Sequence, residues 1–244
     1  MSSNGFDGDL AYTPALEQAA MLRRRELTSV ALTELYLVRI DELNGRLGHF
    51  LTVVDDQALE AAQLADRQLD EDADAAPPFC GVPTSIKDLV DTAGIRTTHG
   101  TATFADRIPE NDAEVVRRLT AAAAVVLGKL NLHEFANGGT SATSYYGPVR
   151  NPWALDRSAG GSSSGSGAAV ASGLTPLAIG TETAGSITCP SSLNGCVGLK
   201  PTVGLLPTAG IVPISGSQDA PGPMSRSVHD AALLLDALAG VTHY

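Results

Sequence analysis

GGSSSGSG at residues 160–167 and GTETAGSI at residues 180–187 are the stretches that decide the fold class of this chain. A flexible linker would continue in glycine and serine. Here the two stretches enclose apolar residues at 168–171 and 174–179, which predict a short helix followed by a buried strand. We therefore expect two ordered loops at the ends of core elements. Their glycines allow backbone N–H groups to approach a substrate carbonyl closely.

Lys87 is the candidate base for a site built from these loops. It ends the run VPTSI at residues 82–86, which predicts a strand with the lysine at its carboxyl end. A serine hydroxyl becomes a strong nucleophile when a neighbour takes its proton, and a lysine takes a proton only when it is uncharged. Burial favours the uncharged amine and lowers a lysine pKa from ~10.4 by roughly 3 to 5 units.

Five motifs together resemble the amidase signature family. They are GVPTSIKD at residues 81–88, GGSSSG at 160–165, GTETAGSI at 180–187, GLKPT at 198–202 and GPMSR at 222–226. The resemblance implies an α/β fold with a mixed, mostly parallel sheet covered by helices on both faces. Helix signals before residue 70 and an Asp/Ala/Pro-rich linker at 70–78 predict an N-terminal helical covering region at residues 1–74 and a catalytic core at 75–244. Members of the family normally continue further, so we expect a fold that is incomplete at its C-terminus.

The same resemblance implies roles for individual residues. Ser186 would be the nucleophile, Lys87 the general base and Ser162 the hydroxyl between them. The family holds this bridging serine on a cis peptide bond, and the sequence leaves open whether that bond precedes Ser162 or Ser163. The oxyanion hole is expected from the backbone N–H groups of Thr183, Ala184, Gly185 and Ser186. The candidates for the substrate pocket are Gly138, Gly139, Ser163, Thr188 and Cys189, and neither a metal nor a cofactor is expected.

The reaction implied by the resemblance is hydrolysis of a carboxamide through an acyl-enzyme, with release of ammonia or an amine. Many members, including transamidating subunits that act on transfer RNA, carry an arginine two or three residues after the nucleophile. This chain has Thr188 and Cys189 there, so recognition of a substrate carboxylate by that route is not expected. The motifs look more like the peptide amidase branch, which removes C-terminal amides from peptides. A catalytically weak fragment and a glutamine-dependent amidotransferase subunit remain as alternatives.

A different catalytic arrangement also fits one motif. GSSSG at residues 161–165 matches a nucleophile elbow, which would make Ser163 the nucleophile and His229 its base. That motif needs a strand directly before it. Residues 151–157 include a proline and charged side chains and are predicted as a loop, so the elbow is disfavoured.

Composition limits the classes of partner. The 244 residues are 43% hydrophobic, which is enough for one sizeable core. A formal net charge of −11 opposes nucleic-acid binding. Residues 1–7 have neither the basic region nor the apolar segment of a secretion signal, and no apolar run is long enough to cross a bilayer, so a cytoplasmic protein without membrane contact is expected. The expected partners are a small-molecule or peptide amide and, to cover the missing region, a second copy or another chain.

Local signals predict several further details. Capping residues predict helices that begin at Thr28 or Ser29, at Asp112 and at Ser227, with the last helix ending at Gly240. His49 and His99 stand in loop-like contexts and are predicted at the surface. Asp219 and Arg226 are candidates for an ion pair, although two separately solvated charges are equally consistent with the sequence.

Overall fold

The structure is a computed structural model that describes residues 7–239. Residues 1–6, which contributed to the expected location, and Gly240, the predicted end of the last helix, lie outside the described residues.

The described elements alternate between helices and strands. In chain order they are α1 (Asp7–Tyr12), α2 (Ala15–Arg23), α3 (Ser29–Leu47), β1 (Phe50–Val53), α4 (Asp55–Glu71), β2 (Pro83–Lys87), α5 (Glu114–Ala121), β3 (Val125–Leu130), β4 (Arg150–Asn151), β5 (Ala154–Ser158), α6 (Ser164–Ala171), β6 (Leu177–Glu182), α7 (Thr188–Asn194), β7 (Val197–Gly198), β8 (Ala220–Ser225) and α8 (Val228–Leu238), with 3₁₀ turns at Ala102–Phe104 and Glu134–Ala136.

Six strands form one mixed sheet in the order β1-β3-β2-β6-β8-β7. Strands β3, β2 and β6 are parallel, β1 and β8 are antiparallel to their neighbours, and β7 is antiparallel to β8. Four of the six strands (β3, β2, β6 and β7) therefore run in one direction, and the expected mixed, mostly parallel α/β sheet is confirmed. Ile86 of β2 pairs with Ile179 of β6, so Lys87 at the carboxyl end of β2 lies close to the carboxyl end of β6 and the segment that follows it.

The core joins the N-terminal helices to the sheet. Tyr36 of α3, Ile86 of β2 and Leu234 of α8 belong to one buried apolar cluster. Helix α4 packs against β3, α6 against β6 and α8 against β8, while β1 extends the sheet from the N-terminal region. The boundary at residue 74 stays a prediction.

Two of the predicted helix starts are confirmed and one is wrong. The side chains of Thr28 and Ser227 each accept the backbone N–H three residues further on, which caps α3 and α8. Asp112 does not cap α5, which begins at Glu114. Its carboxylate instead accepts the Ala93 N–H at 2.7 Å and fastens a neighbouring loop.

The predicted loop at residues 151–157 is also wrong. β4 and β5 pair as a small antiparallel sheet, and the Asn151 side chain accepts the Trp153 N–H at 3.0 Å across the intervening turn. Asparagine and proline favour turns, and here the turn reverses the chain between two short strands rather than extending a loop.

Both histidines predicted at the surface are buried. His49 pairs its Nε2 with the Arg150 carbonyl at 3.0 Å, and burial lowers its pKa to about 4. His99 packs against the rings of Phe104 and Phe135, and burial again lowers its pKa to about 4. Burial favours the neutral imidazole over the charged form, which would need water; the Nδ1 atom of His99 has no hydrogen-bond partner among the described residues.

Asp230 provides a test of the contact between α8 and α2. Its buried carboxylate accepts the N–H groups of Ala15 at 3.2 Å and Leu16 at 2.9 Å. Asp230→Ala leaves both donors without this acceptor, so we expect the free energy of unfolding to fall by about 2 kcal/mol in chemical denaturation. Asp236→Ala, at an exposed position of α8, should change it little, and equal effects of the two substitutions would contradict this account.

Candidate active site

Lys87 lies inside the protein at the end of the central strand β2, which is buried along its whole length. Its side chain is 0% exposed. The Nζ atom lies 2.7 Å from Ser162 Oγ and 2.7 Å from Thr181 Oγ1. The structure therefore brings together two of the three predicted catalytic residues and adds Thr181, which sequence reasoning missed. β2 and β6 are parallel and Ile86 pairs with Ile179, so the residues that follow these positions, Lys87 and Thr181, lie near each other.

The surroundings of Lys87 favour the uncharged amine. Burial lowers its pKa well below the ordinary lysine value, against the opposing effects of Asp219 and Glu182. Within residues 7–239, no ion pair joins Lys87 to a carboxylate. In a buried site without a paired carboxylate, the charged form of lysine is unfavourable, and the neutral amine can accept a proton.

Ser162 and Ser163 connect the lysine to the second glycine-rich segment. The cis peptide bond lies between Gly161 and Ser162, which settles the position that the sequence left open. Ser163 donates its N–H to the Ser186 carbonyl at 3.0 Å and its hydroxyl to the Thr181 carbonyl at 3.1 Å. The segment carrying Ser162 is thus fastened both to β6 and to the turn that carries Ser186.

The nucleophile-elbow alternative is wrong. Ser163 is 0% exposed and its hydroxyl is hydrogen-bonded to Thr181, so it is closed to substrate. His229, the proposed base, lies on an exposed position of α8.

Glu182 shapes the turn that carries Ser186. Its carboxylate accepts the N–H groups of Gly185, Ile187 and Thr188, each at 2.8 Å. Burial alone would raise the pKa of Glu182, but these donors outweigh it and the pKa is lowered. Sequence reasoning missed this residue, although an acidic side chain ending an apolar strand four residues before a candidate nucleophile was a visible signal.

The predicted oxyanion hole needs one correction. The Gly185 N–H is directed at Glu182 and is not available to a substrate oxygen. The N–H groups of Thr183, Ala184 and Ser186 donate no hydrogen bond to other described residues. Three of the four expected donors therefore remain as candidates.

Thr183 is held from both sides. Its carbonyl accepts a hydrogen bond from Lys200 Nζ, and its hydroxyl donates to the Asp219 carboxylate. Asp219 also accepts the N–H groups of Ile214 and Ser215, which brings the 214–219 loop against the turn. The candidate ion pair between Asp219 and Arg226 is not formed, because the guanidinium of Arg226 lies over the Tyr12 ring.

A cavity of about 370 Å³ opens at the Ser186 turn, and Ser186 itself is 9% exposed. Three of the predicted pocket residues, Gly138, Gly139 and Cys189, line it. Ser163 and Thr188 do not: Ser163 is fully buried, and the Thr188 hydroxyl donates a hydrogen bond to the Glu182 carboxylate. The complete lining consists of Ala136, Asn137, Gly138, Gly139, Gly161, Thr183, Ala184, Gly185, Ser186, Cys189 and Ile214.

The described residues show neither a metal site nor a membrane-spanning helix. Between residues 7 and 239, His, Cys, Asp and Glu side chains nowhere form a group of three or more suited to a metal ion. None of the helices in this part of the chain combines the length and apolar character needed to cross a membrane.

Comparison with known proteins places this geometry in a family. A family model described as Amidase matches residues 31–244. The chain belongs to the amidase family. It is 46% identical over 224 residues to a glutamyl-tRNA(Gln) amidotransferase subunit of Nitrosococcus oceani, an alignment that covers 92% of this chain and 46% of that protein.

Solved structures of amidase family proteins superpose on the same part of the chain. The native peptide amidase from Stenotrophomonas maltophilia matches with a TM-score of 0.88 and 45% identity, covering 93% of this chain and 48% of that one. The corresponding glutamyl-tRNA(Gln) amidotransferase subunit from Thermotoga maritima matches with a TM-score of 0.82 and 35% identity, covering 95% and 48%. The chain spans about half the length of the relatives it matches.

Glu182→Gln tests whether the Glu182 carboxylate stabilises the turn that carries Ser186. Gly185 donates to one carboxylate oxygen of Glu182, whereas Ile187 and Thr188 donate to the other. Glutamine keeps one oxygen and presents an NH₂ group in place of the other, so we expect either the Gly185 N–H or the N–H groups of Ile187 and Thr188 to lose protection against hydrogen exchange by about tenfold or more. Exchange measured by nuclear magnetic resonance reads these amides individually. Glu110→Gln, at an exposed position, is the control, and unchanged exchange in Glu182→Gln would contradict the assignment.

Proposed function

We propose that this chain carries a serine amidase site in which Ser186 is the nucleophile, Ser162 relays protons and Lys87 is the general base. The observation that carries the proposal is the 2.7 Å contact between the buried Lys87 Nζ and Ser162 Oγ, on a segment fastened to the Ser186 turn. A buried lysine with no carboxylate partner is costly as a cation, and acid–base chemistry is a function that uses it neutral.

The first half of the reaction forms an acyl-enzyme. Ser186 Oγ bonds to the carbonyl carbon of the amide and passes its proton to Ser162 Oγ, while the proton of Ser162 moves to Lys87 Nζ. The carbonyl oxygen becomes an anion facing the N–H groups of Thr183, Ala184 and Ser186. The C–N bond then breaks, the departing nitrogen takes a proton back through Ser162, and the acyl group remains as an ester on Ser186.

The second half repeats the relay with water. Water loses a proton through Ser162 to Lys87 and its oxygen bonds to the ester carbon. When the C–O bond to Ser186 breaks, Ser186 recovers its proton along the same path. The products are a carboxylic acid and ammonia or an amine.

The proposed substrates are carboxamides with no negative charge near the scissile bond, such as a peptide C-terminal amide. Neither lysine nor arginine is among the cavity-lining residues described above, and the positions after the nucleophile are Thr188 and Cys189. The carboxylates of Glu182 and Asp219 are hydrogen-bonded to the turn and disfavour an anionic group near it. The similarity to a peptide amidase supports this substrate class.

A glutamine-dependent amidotransferase subunit is the second candidate, because the similarity to glutamyl-tRNA(Gln) amidotransferase subunits is equally high. In that case the chain would release ammonia from glutamine and pass it to a partner. Glutamine carries an α-carboxylate, and the cation that binds it would then come from outside the lining of this cavity. Glutaminase activity together with copurification of another chain would favour this candidate over the first.

Labelling with a serine-directed fluorophosphonate tests the catalytic assignment. Ser186→Ala removes the nucleophile and Lys87→Ala removes its base, so we expect the labelling rate to fall on the order of 10³-fold or more in both variants. Ser192→Ala, at an exposed position of α7, is the matched control and should label like the parent.

Retained labelling in either active-site variant would refute the assignment. Labelling of Ser186 with no turnover of peptide, aliphatic or aryl amides would instead identify a catalytically weak fragment.

The pH dependence of labelling follows from the lowered pKa of Lys87. Only the neutral amine accepts the proton, so the labelling rate should rise tenfold per pH unit below the Lys87 pKa and level off above it. The plateau should begin well below the ordinary lysine value. A rate that keeps rising to about pH 10.4 would show an ordinary, solvated lysine and contradict the mechanism.

A further inference from the structure

The segment between β3 and the Ser162 region forms one wall of the candidate cavity. Ala136, Asn137, Gly138 and Gly139 line the cavity from this side. The segment is joined directly to the proposed relay, because the backbone N–H of His133 donates to the Ser162 carbonyl at 3.1 Å.

The His133 ring joins the two ends of this segment by a hydrogen bond. Its Nδ1 accepts the backbone N–H of Ser141 at 3.0 Å. A ring nitrogen that accepts a hydrogen bond carries no proton, so the imidazole is neutral here and its proton is on Nε2. His133 is 9% exposed, and the bond is largely shielded from water.

The wall is clamped between this ring and the glycine before Ser162. A Cβ atom built on Gly138 would overlap Cε1 and Nε2 of His133, so the ring lies directly against the Gly138 backbone. On the other side, a Cβ atom on Gly161 would come within 2.9 Å of the Gly139 carbonyl carbon and 3.0 Å of the Thr140 nitrogen. A shift of the ring would therefore move the surface that faces Ser186.

The backbone of the wall is unfavourable without such support. Phe135, Ala136 and Ser141 have φ angles of 50°, 57° and 58°, in the left-handed region that side chains with a Cβ disfavour. The contacts that hold Ser141 in place are the His133 bond and a hydrogen bond between the hydroxyls of Ser141 and Ser164. By accepting the Ser141 N–H, His133 stabilises Ser141 in this disfavoured backbone conformation.

We propose that His133 is a positioning residue that folds residues 136–141 into the wall of the cavity, and that it does so only as a neutral imidazole accepting the Ser141 N–H. The effect on catalysis rests on the amidase function proposed above, whereas the effect on the wall does not. The function of this chain would then depend on a residue that contacts neither the reacting atoms nor the Lys87 side chain.

Protonation of His133 removes the acceptor. The imidazolium would present an N–H to the N–H of Ser141, two donors that repel each other. Burial lowers the pKa of His133, and the charge of Glu134 beside it raises the pKa; Lys87 on β2 lowers it only where that amine is protonated. Because the net pKa is lowered, the folded wall is favoured above the ordinary histidine pKa of ~6.5 and is lost as the pH falls below it.

Hydrogen exchange of the wall in four proteins tests this inference. The parent, His133→Asn, His133→Ala and the control His229→Asn are compared by mass spectrometry at pH 8 and pH 5, after correction for intrinsic rates. Asparagine places an oxygen close to the position of Nδ1 and does not titrate. His229 is exposed on α8 and takes no part in the wall.

The expected result is a pattern rather than a single loss. Peptides covering residues 136–141 should be protected at pH 8 in the parent and lose about tenfold protection at pH 5. His133→Asn should stay protected at both pH values, His133→Ala should be unprotected at both, and His229→Asn should follow the parent. Equal protection of the parent and His133→Ala at pH 8, or a parent-like loss in His133→Asn at pH 5, would overturn the proposal.

Fluorophosphonate labelling of Ser186 at subsaturating probe then connects the wall to catalysis. His133→Ala should label ~3- to 10-fold more slowly at pH 8, with His133→Asn close to the parent. Equal rates in the parent and His133→Ala would overturn the catalytic part of the inference. If Ser186 is not labelled in the parent, the proposed function fails and the exchange pattern still decides the role of His133. If His133→Ala does not fold, the comparison between the parent and His133→Asn remains decisive.

Discussion

The contact of the buried Lys87 amine with the Ser162 hydroxyl is the constraint on which the rest of the site depends. An ammonium ion would be costly in this place because neighbours on β2 and β6 exclude water and no carboxylate is paired with it. In the proposed mechanism the central sheet therefore takes part in the chemistry, because burial of the end of β2 favours the neutral amine that accepts a proton. Ser163 and Thr181 complete the arrangement, since their hydrogen bonds hold the serine segment at the distance where proton transfer is possible.

The carboxylates near the site form hydrogen bonds with the turn that carries Ser186 and no ion pair with Lys87. Glu182 gathers three N–H groups inside the Ser186 turn, and Asp219 fastens Thr183 to the 214–219 loop. Each carboxylate accepts hydrogen bonds from N–H or O–H donors of this region, so it shapes the turn without forming an ion pair with Lys87. The result is a turn whose inner N–H groups support its shape and whose remaining N–H groups are free to stabilise an oxyanion. Among the residues that line the cavity none is charged, which agrees with the neutral substrate proposed above.

The sequence predicts the sheet, the helix caps at Thr28 and Ser227 and the approach of Lys87 to Ser162, because each depends on a local pattern or on motifs recognised together. It does not predict the direction of individual N–H groups. Gly185 belongs to the expected oxyanion turn, yet its N–H is directed inward, since that depends on the rotamer of Glu182. The burial of His99 likewise depends on packing against the ring of Phe135, which is distant in sequence, as well as that of nearby Phe104. Thr188 and Ser163 are predicted pocket residues, and three-dimensional packing places them elsewhere.

The ionisation state of Lys87 tests the account most directly. The chain contains three lysines, Lys87, Lys129 and Lys200, so selective ¹³Cε labelling gives a spectrum that substitution of Lys129 or Lys200 by arginine can assign. Burial lowers the pKa of Lys129 to about 8, and this second buried lysine provides an internal reference. We expect the Lys87 resonance to report a neutral amine at neutral pH, with a pKa well below the ordinary lysine value. A resonance that titrates near pH 10.4 would contradict the central claim.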